Sequence, residues 1–397
     1  MKSYADLLRL PRDCWTLAFA SFINRTGAMV TTFLVVFLKD RFGFAADDAG
    51  LVYFLCGAAG VATSPFAGRL ADRYGPARMI RISLFGSGAM LLAIPFLTSA
   101  TTAVVALATF YSLSELMRPA SLSAVTTMTP PEQRRTAYAL QRVSINLGTA
   151  FGSAIGGHLA EANLNALFFV DGGTSLLAFI VLLILPFHAR NAATADGSRT
   201  PGRILPVDVL RDRRLSLALL ALLPALVVFF QIMGPLTEFV KGSLGRSAEL
   251  VGYLFTLNTL LIFFTEIPLN AWSNRLPHRV SIPLGIGLTA LGFGMYGFAG
   301  PTWVLFAATL VWTVGEMILF PSMSDYVAEV APPERRGAYM GWYSMTFGVA
   351  SMFGPLIGLR VLTHQGPDLL WTGAFLVAAA SAAAMGFRLR RARDRRP

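Results

Sequence analysis

Cysteine, histidine and charge are all scarce in this sequence. It has two cysteines and four histidines in 397 residues. Cys14 and Cys56 have neither the spacing of a metal site nor that of a disulfide framework, and no histidine has a partner at ligand spacing. No metal is therefore expected. Only 14% of the residues are charged, against about 25% in a soluble domain. So few charges cannot cover a water-facing surface on a chain this long, and much of its solvent must be lipid. A catalytic triad, a glycine-rich nucleotide loop and a Walker motif are also missing. These absences argue against an enzyme and against ATP as the energy source, and no cofactor is expected. "AFA" at 18–20 mimics a signal-peptidase box, but few apolar residues precede it and the apolar run continues beyond.

What is abundant is apolar length. Hydrophobic residues make up 54% of the chain and the mean hydropathy is +0.58. Twelve apolar runs fall near residues 14–38, 47–69, 79–97, 102–127, 137–161, 167–187, 215–241, 248–272, 279–299, 302–329, 337–361 and 367–388. Each is long enough to cross ~30 Å of hydrocarbon as a helix. The net charge of +11 is distributed by side. With the N-terminus inside, the outer connections hold only Lys39, Arg41, Lys241, Arg246 and Arg360. Arg25, Arg118 and Arg142 lie within spans, and the remaining Lys and Arg residues are all on the inner side. This is the positive-inside asymmetry, and it predicts cytoplasmic termini. The basic tail "RLRRARDRR" then reads as a stop-transfer and lipid anchor, and nucleic acid is not expected as a partner.

One loop occurs twice. "PPEQRRTAY" begins at Pro130 and "PPERRGAY" at Pro332, an offset of 332 − 130 = 202. The same offset aligns "GRLADRYGPAR" (68–78) with "NAWSNRLPHR" (270–279), pairing Asp72 with Asn274 and Arg73 with Arg275. The chain therefore reads as a duplicated six-span unit, a parallel repeat. The predicted organisation is a helical bundle over 1–188, a polar basic linker over 189–214 and a second bundle over 215–397. Pro130-Pro131 and Pro332-Pro333 each end one span and open the next, with Glu132 and Glu334 placed to cap span 5 and span 11 or to pair across the bundle interface with Arg73 or Arg78.

At this point the pattern resembles the major facilitator superfamily along the whole chain. "GRLADRYG" is similar to that family's signature between spans 2 and 3, with Pro76-Ala77 in place of the usual basic pair. The resemblance implies an all-α membrane protein of twelve transmembrane helices in two pseudo-symmetric six-helix bundles. It makes Gly68, Asp72, Arg73, Gly75, Arg78, Glu132 and Glu334 elements of a cytoplasmic gate. "NLGTAFGSAIGG" (146–157) places Gly148, Gly152, Gly156 and Gly157 on span 5 as helix-packing glycines. It is similar to the span-5 motif of bacterial drug:proton antiporters, with Ser153 where those carry proline.

Mid-span charge marks candidate chemistry, because an ionisable group there costs roughly 2.5–3.5 kcal/mol on insertion scales. Arg25 with Asn24 lies near the middle of span 1, Glu115 near the middle of span 4 with Arg118 one turn further in, and Glu316 near the middle of span 10. In the family fold spans 1, 4, 7 and 10 line the central cavity. Glu115 and Glu316 are read as proton or cation sites, with Arg25 and Arg118 as counter-charges or anion ligands. The competing reading makes Glu115–Arg118 and Arg25–Glu316 fixed structural pairs. Phe229, Phe230, Gln231 and Met233 of span 7 could line the cavity beside Gly234-Pro235, which should bend that span. Asp171 and Glu238, by contrast, read as shallow and hydrated.

The expected function is secondary transport by alternating access, driven by a proton gradient, exporting amphipathic small molecules across a bacterial inner membrane. Transport of an organic anion, siderophore or lipid-like metabolite is the alternative, and a non-transporting receptor the alternative from another class. The partners expected are a small-molecule substrate and the bilayer, with a monomeric chain.

Overall fold

In hydrocarbon a backbone amide has no water to bond, so an apolar run satisfies its own peptide groups only by coiling into a helix. The computed structural model describes residues 9–130, 133–188, 207–273, 275–332 and 335–393, and no strand occurs among them. Twelve long helices follow in chain order: α1 (Arg12–Phe42), α2 (Ala46–Tyr74), α3 (Pro76–Phe96), α4 (Ala100–Met128), α5 (Arg134–Ala162), α6 (Leu164–Ile184), α7 (Arg213–Ile232), α8 (Ala248–Ser273), α9 (His278–Phe298), α10 (Thr302–Val330), α11 (Arg336–Gln365) and α12 (Pro367–Arg393). Ten of them qualify as membrane spans on length and hydropathy alone. Large apolar side chains face outward: Ile184 is 75% exposed and Phe298 79%. A belt of this kind is stable only against lipid.

Two helices are broken near mid-length and a third ends in a sharp turn, each for a visible reason. In α1 the helix stops at Gly27 and restarts at Val30. Ala28 (φ −72, ψ 71) forms an inverse γ-turn, with the Met29 N–H donating to the Gly27 carbonyl at 2.7 Å. In α4 the segments Ala100–Ser114 and Met117–Met128 are separated by Glu115-Leu116. Pro119 lacks an N–H, and its ring opposes the carbonyl four residues back, which is that of Glu115. Just past α7, Gly234 takes φ +98, a conformation strained for any other residue, and Pro235 opens the next short helix.

The chain divides into two compact units. The first takes α1 as far as Phe33, residues 40–42, α2 from Leu55, and α3 to α6. The second takes residues 34–39 and 43–54 with α7 to α12. Within the first unit, glycine lets α5 approach α1 closely. A Cβ at Gly148 would fall 2.9 Å from the Arg25 Cβ, and one at Gly152 would fall 2.8 Å from the Thr26 carbonyl. A Cβ at Gly156 would meet the Met29 side chain at 2.9 Å, and Gly157 is buried beside it. Within the second unit α9 and α10 are as close: a Cβ at Gly315 would come within 2.7 Å of the Thr289 nitrogen.

Two expectations are corrected. Asp171 and Glu238 are not shallow hydrated groups; both are buried. Asp171 lies about two turns into α6, against the break in α1, where Gly27 allows contact: a Cβ there would be 2.9 Å from the Asp171 Cα. Glu238 closes the short helix that follows Gly234, is enclosed, and pairs with Lys39 inside the second unit. Gly242 leaves room for its carboxylate.

Candidate functional site

The first unit gathers its charges where two broken helices meet. Arg25 ends the first segment of α1, and its strongest charged neighbour is Asp171 on α6, followed by Arg118 and Glu115 on α4. Glu115 is half-buried, with Arg118 ahead of Arg25 among its charged neighbours. A Cβ at Gly60 of α2 would fall 3.2 Å from the Glu115 Cγ, so that glycine makes room for the side chain. Arg25 and Arg118 are both exposed. Two cations and two carboxylates facing one another from three helices at mid-depth belong to a polar, water-accessible recess, because lipid would not tolerate them.

The α1 break adds backbone polarity to this cluster. Val30 starts the second segment, so its N–H has no helical acceptor, and it donates to Asp171 Oδ2 at 3.5 Å. A carboxylate at a helix N-terminus is favoured by the aligned peptide dipoles. Tyr111 of α4 donates to Thr31 Oγ1 at 3.3 Å, fixing α4 beside the restart. Discontinuous helices at mid-membrane are the places where transport proteins hold ions and substrates.

Asn24 lies elsewhere. Its Nδ2 donates to Ser175 Oγ at 2.9 Å, one turn from Asp171, so it clamps α1 to α6 and does not face the recess. The span-7 residues also depart from expectation. Phe230 and Gln231 are buried, and Gln231 Nε2 donates to the carbonyls of Val227 (2.9 Å) and Gly354 (3.0 Å). Phe229 packs edge-on against Trp312 and Phe320, and Met233 packs on the same core. These side chains join α7 to α10 and α11, with Phe230 and Gln231 buried in that contact and Phe229 and Met233 half-buried.

In the second unit Glu316 is buried in the middle of α10. Asn258 of α8 donates from Nδ2 to Glu316 Oε1 at 2.7 Å and to Thr313 Oγ1 at 3.0 Å. Among the described residues no cation forms an ion pair with it. Two turns before Glu316 on α10 the Thr309 hydroxyl meets Tyr296 OH at 2.9 Å, and Trp312 Nε1 donates to the same oxygen at 2.9 Å.

Of the gate residues, Gly75 takes φ +89 ahead of Pro76, and Arg73 and Arg78 stack on the Tyr74 ring at 5.3 and 5.8 Å. Glu132 and Glu334 lie outside the described residues, as do the side chain of Asp72 and the surroundings of Gly68.

Asp171 and Asn258 were missed as site residues. Asp171 follows two phenylalanines and a valine in "FFVDGG", and a carboxylate in such a run is a signal in itself. Asn258, in "FTLNTLL", is a neutral amide that only its pairing with Glu316 distinguishes.

A bundle of membrane-crossing helices with broken segments and buried charge at mid-depth defines a membrane transporter, not an enzyme. The Major Facilitator Superfamily model matches residues 17–240 and 225–397, and the chain belongs to that family. It is 27% identical over 366 residues to YttB of Bacillus subtilis, an uncharacterized MFS-type transporter, covering 90% of each chain. It is 24% identical over 387 residues to the multidrug resistance protein MdtH of Escherichia coli, covering 93% of each. In fold it matches the crystal structure of the nucleoside transporter NupG, with TM-score 0.77 and 16% identity, over 96% of this chain and 99% of that one.

Proposed function

We propose that this transporter is a proton-coupled exporter of amphipathic small molecules, working by alternating access in a bacterial cytoplasmic membrane with both termini inside. The observation that carries the reading is Glu316. A buried carboxylate at mid-span, held by an amide and without an ion-pair partner among the described residues, is costly when charged and is suited to take and release a proton. Glu115, shared between Arg118 and Arg25, supplies a second carboxylate whose charge depends on what occupies the recess. The similarity to MdtH, a multidrug resistance protein, favours drug-like cargo and export.

The test is transport in proteoliposomes carrying a pH-sensitive dye, screened across cationic, neutral and anionic amphiphiles. E316Q and E115Q should each abolish pH-driven transport while the protein stays folded in the membrane. Normal transport by both variants overturns the reading. The exposed arginines Arg25 and Arg118 support a second reading, in which the cargo is an organic anion. Direct binding of carboxylates in preference to cationic amphiphiles would select it.

A further inference from the structure

Hydrogen-bond bookkeeping around Glu316 leaves the Asn258 amide only one orientation. The Thr313 hydroxyl donates to the Thr309 carbonyl at 2.6 Å, so its oxygen can only accept from Asn258. An ionised Glu316 likewise only accepts. Both needs are met by Nδ2, which is why it reaches 2.7 Å from one oxygen and 3.0 Å from the other.

That arrangement is strongest with the ionised carboxylate, because a hydrogen bond to a charged acceptor is about twice as strong as one to a neutral group. A proton on Oε2 leaves Oε1 as a carbonyl acceptor, so Asn258 Nδ2 keeps its partner but loses the charge that strengthens the bond. One proton on Glu316 thus weakens the side-chain bond that joins α8 to α10.

Resting on the proposed role of Glu316 as the proton site, we propose that Asn258 is the positioning residue that reads its charge and passes the change to α8. The other side of α10 is poorly placed to respond. Cβ atoms at Gly285 and Gly292 would fall 2.8 Å and 2.6 Å from the Leu319 and Trp312 nitrogens, so α9 and α10 are locked backbone to backbone. Tyr296, Thr309 and Trp312 bond these two helices together as well. The α8 contact is the one that can reorganise.

Other ionisable groups around Glu316 are remote in depth. Glu266 and Glu249 of α8 lie eight and nine residues from Asn258, and Asp325 of α10 lies nine from Glu316, so each is ~12 Å or more away along its helix. His278 and Arg279 open α9 at its inner end, Arg360 and His364 lie in the outer turns of α11, and Arg213 and Arg214 open α7.

The experiment measures proton flux in proteoliposomes from pH 5 to 9 for wild type, N258L, N258S, T313V and E316Q, with thermal unfolding of each as a folding control. Asn258 donates to the charged form of Glu316, so its loss favours the protonated form. N258L should move the pH of half-maximal flux upward by about one to two units, the strength of a hydrogen bond to a charged group. N258S should shift it in the same direction and serves as the reading if N258L does not fold. T313V, which keeps the Glu316 bond, should move it less. A midpoint in N258L or N258S within about 0.3 units of wild type, with E316Q inactive, overturns this inference and leaves the proposed proton site standing. Unchanged pH-dependent flux in E316Q removes the proton site and this inference with it.

Discussion

Asp171 Oδ2 accepts the Val30 N–H at 3.5 Å, so a carboxylate on α6 caps the helix that restarts inside α1. The same carboxylate is the strongest charged neighbour of Arg25. D171N keeps an acceptor for the cap and removes the charge, while D171L removes both. An anion at a helix N-terminus contributes about 0.3–1 kcal/mol, up to ~2 when partly buried. Breaking a fully buried pair costs about 3–5 kcal/mol, but Arg25 is exposed, so solvent screening lowers that term. D171N should fold with a modest loss of stability of about 1 kcal/mol, and D171L should lose about 2–3 kcal/mol. Thermal unfolding in detergent gives the order. Equal losses would show that the cap carries nothing beyond the charge.

The α5 glycines make a graded prediction. Methyl groups at Gly148 and Gly152 would strike α1 backbone, with the Phe22 carbonyl 2.5 Å and the Thr26 carbonyl 2.8 Å away. At Gly156 the nearest atoms belong to the Met29 side chain, which can move. G148A and G152A should each cost about 1–3 kcal/mol and lower transport, because they push α1 away at Arg25. G156A should cost less. A series in which G156A is the most damaging would contradict this packing.

The twelve helices were legible because apolar length and positive-inside charge are properties of single segments. The glycine spacing in α5 and the isolated carboxylates Glu115 and Glu316 were legible for the same reason. What could not be read is which residues meet across helices. Asp171 looked shallow when only its distance from the end of its own span was counted. It is buried against α1, where Gly27 allows the close approach, and that contact between two spans cannot be read from either one alone. Pro119 four residues after Glu115 did carry the signal for the break in α4. Gln231 and Asn24 are polar residues at plausible depth that turn out to bond a neighbouring helix, and periodicity does not separate that outcome from a cavity-facing one.

Tyr296 OH serves both the Thr309 hydroxyl and the Trp312 indole N–H, and all three residues are fully buried or nearly so. Y296F keeps the ring and its packing but leaves the indole N–H without an acceptor. Orphaning one buried donor costs about 1–3 kcal/mol. The double variant Y296F/W312F removes donor and acceptor together and should recover part of that loss. Thermal unfolding of the two variants, compared with W312F alone, decides it: no coupling between the positions would mean that the bond contributes nothing.

Two ion pairs of the second unit should differ in strength and in pH response. Lys39 pairs with Glu238, whose side chain is 12% exposed, whereas His364 meets Asp47 at 3.1 Å with side chains 56% and 27% exposed. K39A strands a mostly enclosed carboxylate and should cost about 1–3 kcal/mol, and K39E/E238K should recover part of it. H364A removes an exposed pair, worth about 1 kcal/mol at most. α2 is 29 residues long, about 44 Å at the helical rise, so Asp47 in its first turn lies beyond the ~30 Å of hydrocarbon. There the hydrogen bond from His364 holds its carboxyl below the usual carboxylate range. A depressed carboxyl contributes its stability above its unfolded value, about 3.9, and loses it as pH falls through the lower folded value. The H364A difference should therefore be present at pH 5 and 6 and shrink as pH falls below the usual carboxylate range. Unfolding curves of wild type and H364A across that range test the sign, and a gap that widens in acid would reverse it.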